Sequence, residues 1–182
     1  MVPPKRDRPV LQPVLFEDRR ILFRNFSGEE GRFNAKGQRN FNVLLEDEEA
    51  ERMLADGWNV KYLQPKEEGD LPQPRLEVSV KYEGRDGRKV TPPRIILITS
   101  RGKTPLDESM VSLLDWAEIE TVDLIINPYV WSVNEKGGVK AYLKSMYVTI
   151  REDALEKKYL DVPDSTSASI MRQGEGDPPW EK

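Results

Sequence analysis

The sequence predicts a mainly β chain with short helices, a small barrel-like domain carrying flexible N- and C-terminal extensions. Three observations lead there. About six short runs alternate apolar and polar residues with a period of two, and clusters of Gly, Pro, Asn and Asp separate them. Two intervening stretches, residues 46–56 and 106–119, instead space their apolar residues as helices do. Both ends are rich in Pro, Ser, Gly and charge and offer little to bury. At 182 residues, 37% apolar and 33% charged, the chain suits one domain over residues 19–160, between an arm at 1–18 and an acidic tail at 161–182.

Residues 1–18 contain four prolines and mixed charge, which predicts an extended arm. Residues 20–26 read as the first strand. A polar loop with three glycines follows at 27–39, where Phe33 stands among Arg32, Lys36 and Arg39. Residues 40–45 form a second strand. Residues 46–56 place acids in a first turn, Ala50, Met53 and Leu54 at helical spacing, and Gly57 just past the end, the pattern of a short capped helix. Residues 58–63 then read as a strand, with Trp58, Val60 and Tyr62 on one face and Asn59 and Lys61 on the other. A Pro-rich, charged loop at 65–74 leads to strands at 76–82 and 94–99, with Gly84, Arg85, Asp86 and Gly87 as their turn.

In residues 106–119, Met110, Leu113 and Leu114 fit a period of 3.6 and Asp107 is placed to cap, so a short helix is expected. The runs 122–133 and 139–150 pair as a β-hairpin across Asn134 to Gly138, and residues 152–159 look helical. Beyond Pro163 the composition predicts disorder. This inventory suits a closed or partly closed barrel such as the five-stranded OB type, with a sandwich as the alternative.

Composition narrows the chemistry. There is neither cysteine nor histidine, which removes disulfides, thiolate nucleophiles, the usual zinc sites and imidazole bases together. A non-catalytic protein without metal or cofactor is the expectation. The longest apolar run, residues 95–98, is far short of the ~20 residues a bilayer span needs, and the N-terminus lacks a secretory signal. A cytoplasmic protein without a membrane partner is therefore expected. The net charge of −4 is unevenly spread: residues 1–40 carry nine Lys and Arg against five acids, residues 151–182 five against eight.

Within the hairpin, Lys140, Tyr142 and Lys144 alternate with Val139, Ala141 and Leu143, giving one cationic, aromatic face and one small, apolar face. Three surfaces combine on this logic into a groove for a single-stranded nucleic acid. The first runs from Arg24 and Phe26 to Arg32, Phe33, Lys36 and Arg39. The second is Trp58, Lys61 and Tyr62, and the third is Tyr129 and Trp131 with Lys140, Tyr142 and Lys144. Cations collect backbone phosphates, and unpaired bases stack on flat rings. Trp58 and Trp131 are equally compatible with a barrel interior. Trp116, among Leu113, Leu114 and Ile119, reads as packing. The acidic run from Glu46 to Glu49 fans around a helix and favours its N-terminus, so it does not read as a metal cluster. Near the end, Asp177, Pro178, Pro179 and Trp180 form a compact acidic and aromatic peptide suited to a basic-rimmed pocket on a partner.

Residues 24–28 (RNFSG) with Phe33 and Asn34, residues 125–131, and residues 137–143 (GGVKAYL), where glycines lead into the last strand, together resemble bacteriophage-type single-stranded DNA-binding proteins of the OB-fold class. The likeness spans residues 20–150. It implies a non-catalytic protein that coats single-stranded DNA during replication or recombination. The end of the chain is similar to the acidic, aromatic-tipped tails through which such proteins dock replication and repair partners, except that Glu181 and Lys182 follow Trp180. Two other readings stay open at this stage: an adaptor whose basic face binds an acidic protein, and a nuclease recruiting Asp115, Glu118 and Asp123 around Mg²⁺. Oligomeric state is left open.

Overall fold

A computed structural model of the chain describes residues 10–84, 87–153, 155, 158, 159 and 161–163. It divides into a unit ending at Arg151 and a short one starting at Glu152. In the second, the Tyr159 N–H donates to the Leu155 carbonyl at 3.0 Å, one helical turn. The tail peptide Asp177, Pro178, Pro179 and Trp180 lies outside the described residues.

The described residues of the first unit form one sheet of nine strands, β1 Val14–Arg19, β2 Ile21–Asn25, β3 Arg39–Leu44, β4 Val60–Leu63, β5 Gln73–Val80, β6 Arg94–Thr99, β7 Gly102–Leu106, β8 Ile119–Val133 and β9 Lys136–Ile150, with one α-helix, α1 Asp47–Ala55. Its main path runs β1-β8-β9-β5-β3-β2, with β4 on β5 and the β6–β7 hairpin on β9. Neighbours are antiparallel except β5 with β9 and β6 with β9. Only Arg20 separates β1 from β2, so the sheet curls until its first and last strands are one bent length of chain, the plan of a partly open barrel. Its inner face buries Phe16, Phe26, Phe41, Val43, Leu76, Val78, Leu124, Ile126 and Met146. Ala50 and Met53 of α1 join this core, and Glu49 of its first turn holds Arg19 through two bonds of 2.7 and 3.1 Å. Among the described residues no helix is long and apolar enough to cross a membrane.

Four expectations are corrected. Residues 14–18 are not part of an arm; they lie in β1, which pairs with β8. A strand the pattern did not suggest, β7, pairs with β6. The helix expected in 106–119 is a single 3-10 turn at Val111–Asp115. Finally, the β8–β9 turn is only Asn134 and Glu135, both at positive φ (47° and 66°), because Val133 already pairs with Lys136. Gly137 and Gly138 belong to β9. A Cβ on Gly138 would sit 3.4 Å from the Trp131 indole nitrogen, and one on Gly137 2.9 Å from the Trp131 carbonyl, so the glycines let Trp131 lie close against the partner strand.

Candidate nucleic-acid interface

Alternation sets the outer face of the sheet. On β8 and β9 the buried residues include Val122, Leu124 and Ile126, and Val139, Ala141 and Leu143, which turns Tyr129, Lys140 and Tyr142 outward. Tyr129 lies opposite Lys140, and its ring meets Tyr142 edge to face at 5.5 Å. Lys81 places its Nζ 5.4 Å from the Tyr142 ring, and Lys144 is exposed two residues further along β9. Two flat rings thus sit among three lysines on a solvent-facing surface.

The same face continues across the sheet. Tyr142 pairs with Ser79 of β5, Ser79 with Asn40 of β3, and Glu77 with Asn42. Asn40 donates to Glu77 at 3.2 Å and to the Asn34 side-chain oxygen at 2.9 Å, which staples the β2–β3 loop over this face. That loop holds Phe33 out at 87% exposure, with the Arg32 guanidinium 5.4 Å from its ring and Lys36 exposed nearby in sequence. At the far side, Arg75 donates to Asn42 at 2.6 Å and lies 5.3 Å over the ring of Phe23. Phe23 sits at φ 52° inside a register shift between Leu22 and Asn25, which throws a phenyl ring outward to 58% exposure. Lys61 pairs with Arg75 across β4 and β5, so it shares the outer face, and Tyr62 points to the opposite one.

Other expected contacts are spent elsewhere. Phe26 is fully buried, stacked on Phe41 at 5.3 Å, and Trp58 is 4% exposed in the core; neither has a ring face to offer a base. Arg24 donates through one nitrogen to the carbonyls of Leu114 and Ala117, both at 2.7 Å. Asp115 completes that clasp by accepting the N–H groups of Phe26 and Ser27 at 2.7 and 3.0 Å. Arg39 pairs with Glu108 at 2.9 Å and lies 4.9 Å over Tyr82. Arg24 and Arg39 therefore join the 3-10 segment to the sheet. Trp131 flanks a cleft of about 350 Å³ with Leu11, Gly57, Val130 and Val139 at the hairpin end. Among the described residues no group of three acids is arranged to hold a metal ion, and Asp123 accepts the Asp18 N–H at 2.8 Å.

Sequence reasoning missed Phe23, Arg75 and Lys81 on the outer face. It also placed Trp116 in the packing, whereas that side chain is 86% exposed. In a 3-10 helix, residues three apart align, so Val111 and Leu114 turn inward and Met110, Leu113 and Trp116 line up on the outside.

A family model described as "Putative phage ssDNA-binding domain" matches residues 4–182. No curated protein matches the chain. Among solved structures, the fold is similar to that of the single-stranded DNA-binding protein from bacteriophage Enc34 in complex with ssDNA, with a TM-score of 0.51 at 8% identity over 78% of this chain and 88% of that one. The C-terminal truncation of the Enc34 protein aligns with a TM-score of 0.48 at 10% identity, over 78% of this chain and 87% of that one. The bacteriophage T7 single-stranded DNA-binding protein gp2.5 aligns with a TM-score of 0.37 at 10% identity, over 85% of this chain and 97% of that one.

Proposed function

We propose, on the premise that this chain belongs to the phage single-stranded DNA-binding domain family, that the outer face of its sheet coats single-stranded DNA during phage replication and recombination without catalysing a reaction. Tyr129 and Tyr142 stack bases, Lys81, Lys140 and Lys144 collect phosphates, and Phe33 with Arg32 and Lys36 closes over the strand from the β2–β3 loop. Phe23, Arg75 and Lys61 extend the face on the side of β2. One observation carries the reading: an edge-to-face tyrosine pair, ringed by lysines, looks outward from the sheet of a chain in this family. Stacking of this kind tolerates any base, which suits a protein that must cover arbitrary sequence.

The C-terminal peptide around Asp177, Pro178, Pro179 and Trp180 recruits replication or recombination proteins in the same proposal, and the host cytoplasm is where both ligands meet. The deciding experiment titrates the full chain against an oligo-dT of about 30 nucleotides, long enough to span several OB sites of ~4–16 nucleotides. Binding at low salt that weakens as salt rises is expected. No binding at low salt ends the proposal.

A further inference from the structure

We infer that the strand path runs on beyond Tyr142 along β9 to a second stacking platform made by Tyr147, Lys103 and Arg94. The inference rests on the outer-face reading proposed above and extends it to residues outside that face's first set. In a regular strand Tyr142 and Tyr147, five residues apart, point to opposite sides. Here they do not. Ile126 pairs with Leu143 and Ile125 with Ser145, which leaves Lys144 as an extra residue in β9, a bulge. Leu143 and Met146 are consequently both buried, and Tyr147 emerges on the same side as Tyr142.

The β6–β7 hairpin supplies cations at that point. Arg94 pairs with Ser145, Ile96 with Tyr147, and Lys103 with Ile98, which brings the Lys103 Nζ 6.0 Å from the Tyr147 ring centre. Among the described residues neither Arg94 nor Lys103 is engaged in an ion pair. The acid opposite Tyr147 on β8 is Asp123, whose Oδ1 accepts the Asp18 N–H. Ring and ammonium therefore repeat the Tyr142 and Lys81 arrangement ~13 Å further along the strand, four ladder steps at a rise of about 3.3 Å each once the bulge residue is discounted. The occupant that fits both platforms is one polynucleotide, its bases on the two rings and its phosphates on the cations between and beside them.

The test measures binding of a dT dinucleotide, whose two bases cannot span ~13 Å, and of a dT oligomer of about 16 nucleotides, the upper end of OB site sizes, to the full chain and to the variants Tyr147→Leu, Lys103→Ala and Tyr142→Leu. A ligand reaching both platforms loses roughly tenfold affinity with Tyr147→Leu and a smaller factor with Lys103→Ala, and the short oligomer changes less than about twofold. Lys103 is exposed, so its variant keeps the test valid should Tyr147→Leu unfold. Unchanged binding of the long oligomer by the folded variants overturns the second platform. Equal losses on both lengths overturn it too. If Tyr142→Leu is also silent, the outer-face reading falls with it; if Tyr142→Leu weakens both oligomers, only the extension fails.

Discussion

Replacing Tyr142 with Leu and Lys140 with Ala separates the two halves of the proposed binding energy. Tyr142 offers a ring to a base, and stacking on such a ring contributes about 1–3 kcal/mol, so its loss weakens binding by roughly 5- to 150-fold. Leu keeps apolar bulk at this outward-facing position but has no π-face. The edge contact with Tyr129 that disappears is worth about 0.5–1.5 kcal/mol of stability, a few degrees in melting temperature for a chain of this size. Because no charge changes, the slope of log affinity against log salt stays where it was. Lys140 is an exposed cation opposite Tyr129, and each phosphate neutralised on a single strand adds about 0.7 to that slope. Lys140→Ala therefore flattens the slope by about 0.7 and weakens binding most at low salt. Fluorescence anisotropy with labelled oligo-dT at four or more salt concentrations reads both quantities, with thermal unfolding as the control for folding. A Tyr142→Leu variant that binds within about twofold of the parent, or that changes the slope as Lys140→Ala does, refutes this division of labour.

Three other outcomes follow from the geometry. Asp115→Ala strips the acceptor from two backbone N–H groups, each charge-assisted bond being worth about 1.5–3 kcal/mol, and should lower the melting temperature by roughly 6–24 °C in calorimetry; a shift under about 2 °C counts against the clasp. Burial pushes the Tyr82 phenol above its ordinary value, against the opposing pull of Arg39, so its folded value exceeds the unfolded one. The stability linked to it is complete below about pH 10 and declines as pH climbs towards the folded value; urea unfolding should show that decline in the parent and less of it in Tyr82→Phe. Removing residues 166–182 should leave affinity for oligo-dT equal or higher, since a local anion competes with phosphate for the same cations, and a clear loss in the truncated chain would contradict that role.

Much of the sheet was legible because half-buried strands carry a strict alternation, as in residues 40–45, 76–82 and the long hairpin. What escaped shares a physical cause: local patterns do not report on distant partners. β1 follows Pro13 closely and is a strand by virtue of its pairing with β8, more than a hundred residues away. β7 buries only Leu106, so its sequence shows no apolar face. Trp116 was misjudged because a 3.6 period was applied where the backbone winds three residues per turn. At Phe26 an aromatic next to cations reads as a contact, whereas the barrel uses the ring as filling, as it does that of Trp58, which the sequence leaves open between contact and interior. Bulges did the rest, changing side at Phe23 and again at Lys144. Overall charge was also a poor guide, since residues 41–150 carry fourteen Lys and Arg against nineteen acids. The cations of the candidate interface are a matter of arrangement, not of excess.

The meeting of β1 and β2 at Arg20 means that the cylinder is fastened where its two rims touch by a covalent link instead of a further ladder of hydrogen bonds. Such a hem has no register to slip, and thermal breathing cannot unzip it residue by residue. A single backbone scission beside Arg20 would turn it into two free borders, so limited proteolysis there ought to loosen the whole wall at once, whereas a nick in the β2–β3 loop would leave the closure untouched.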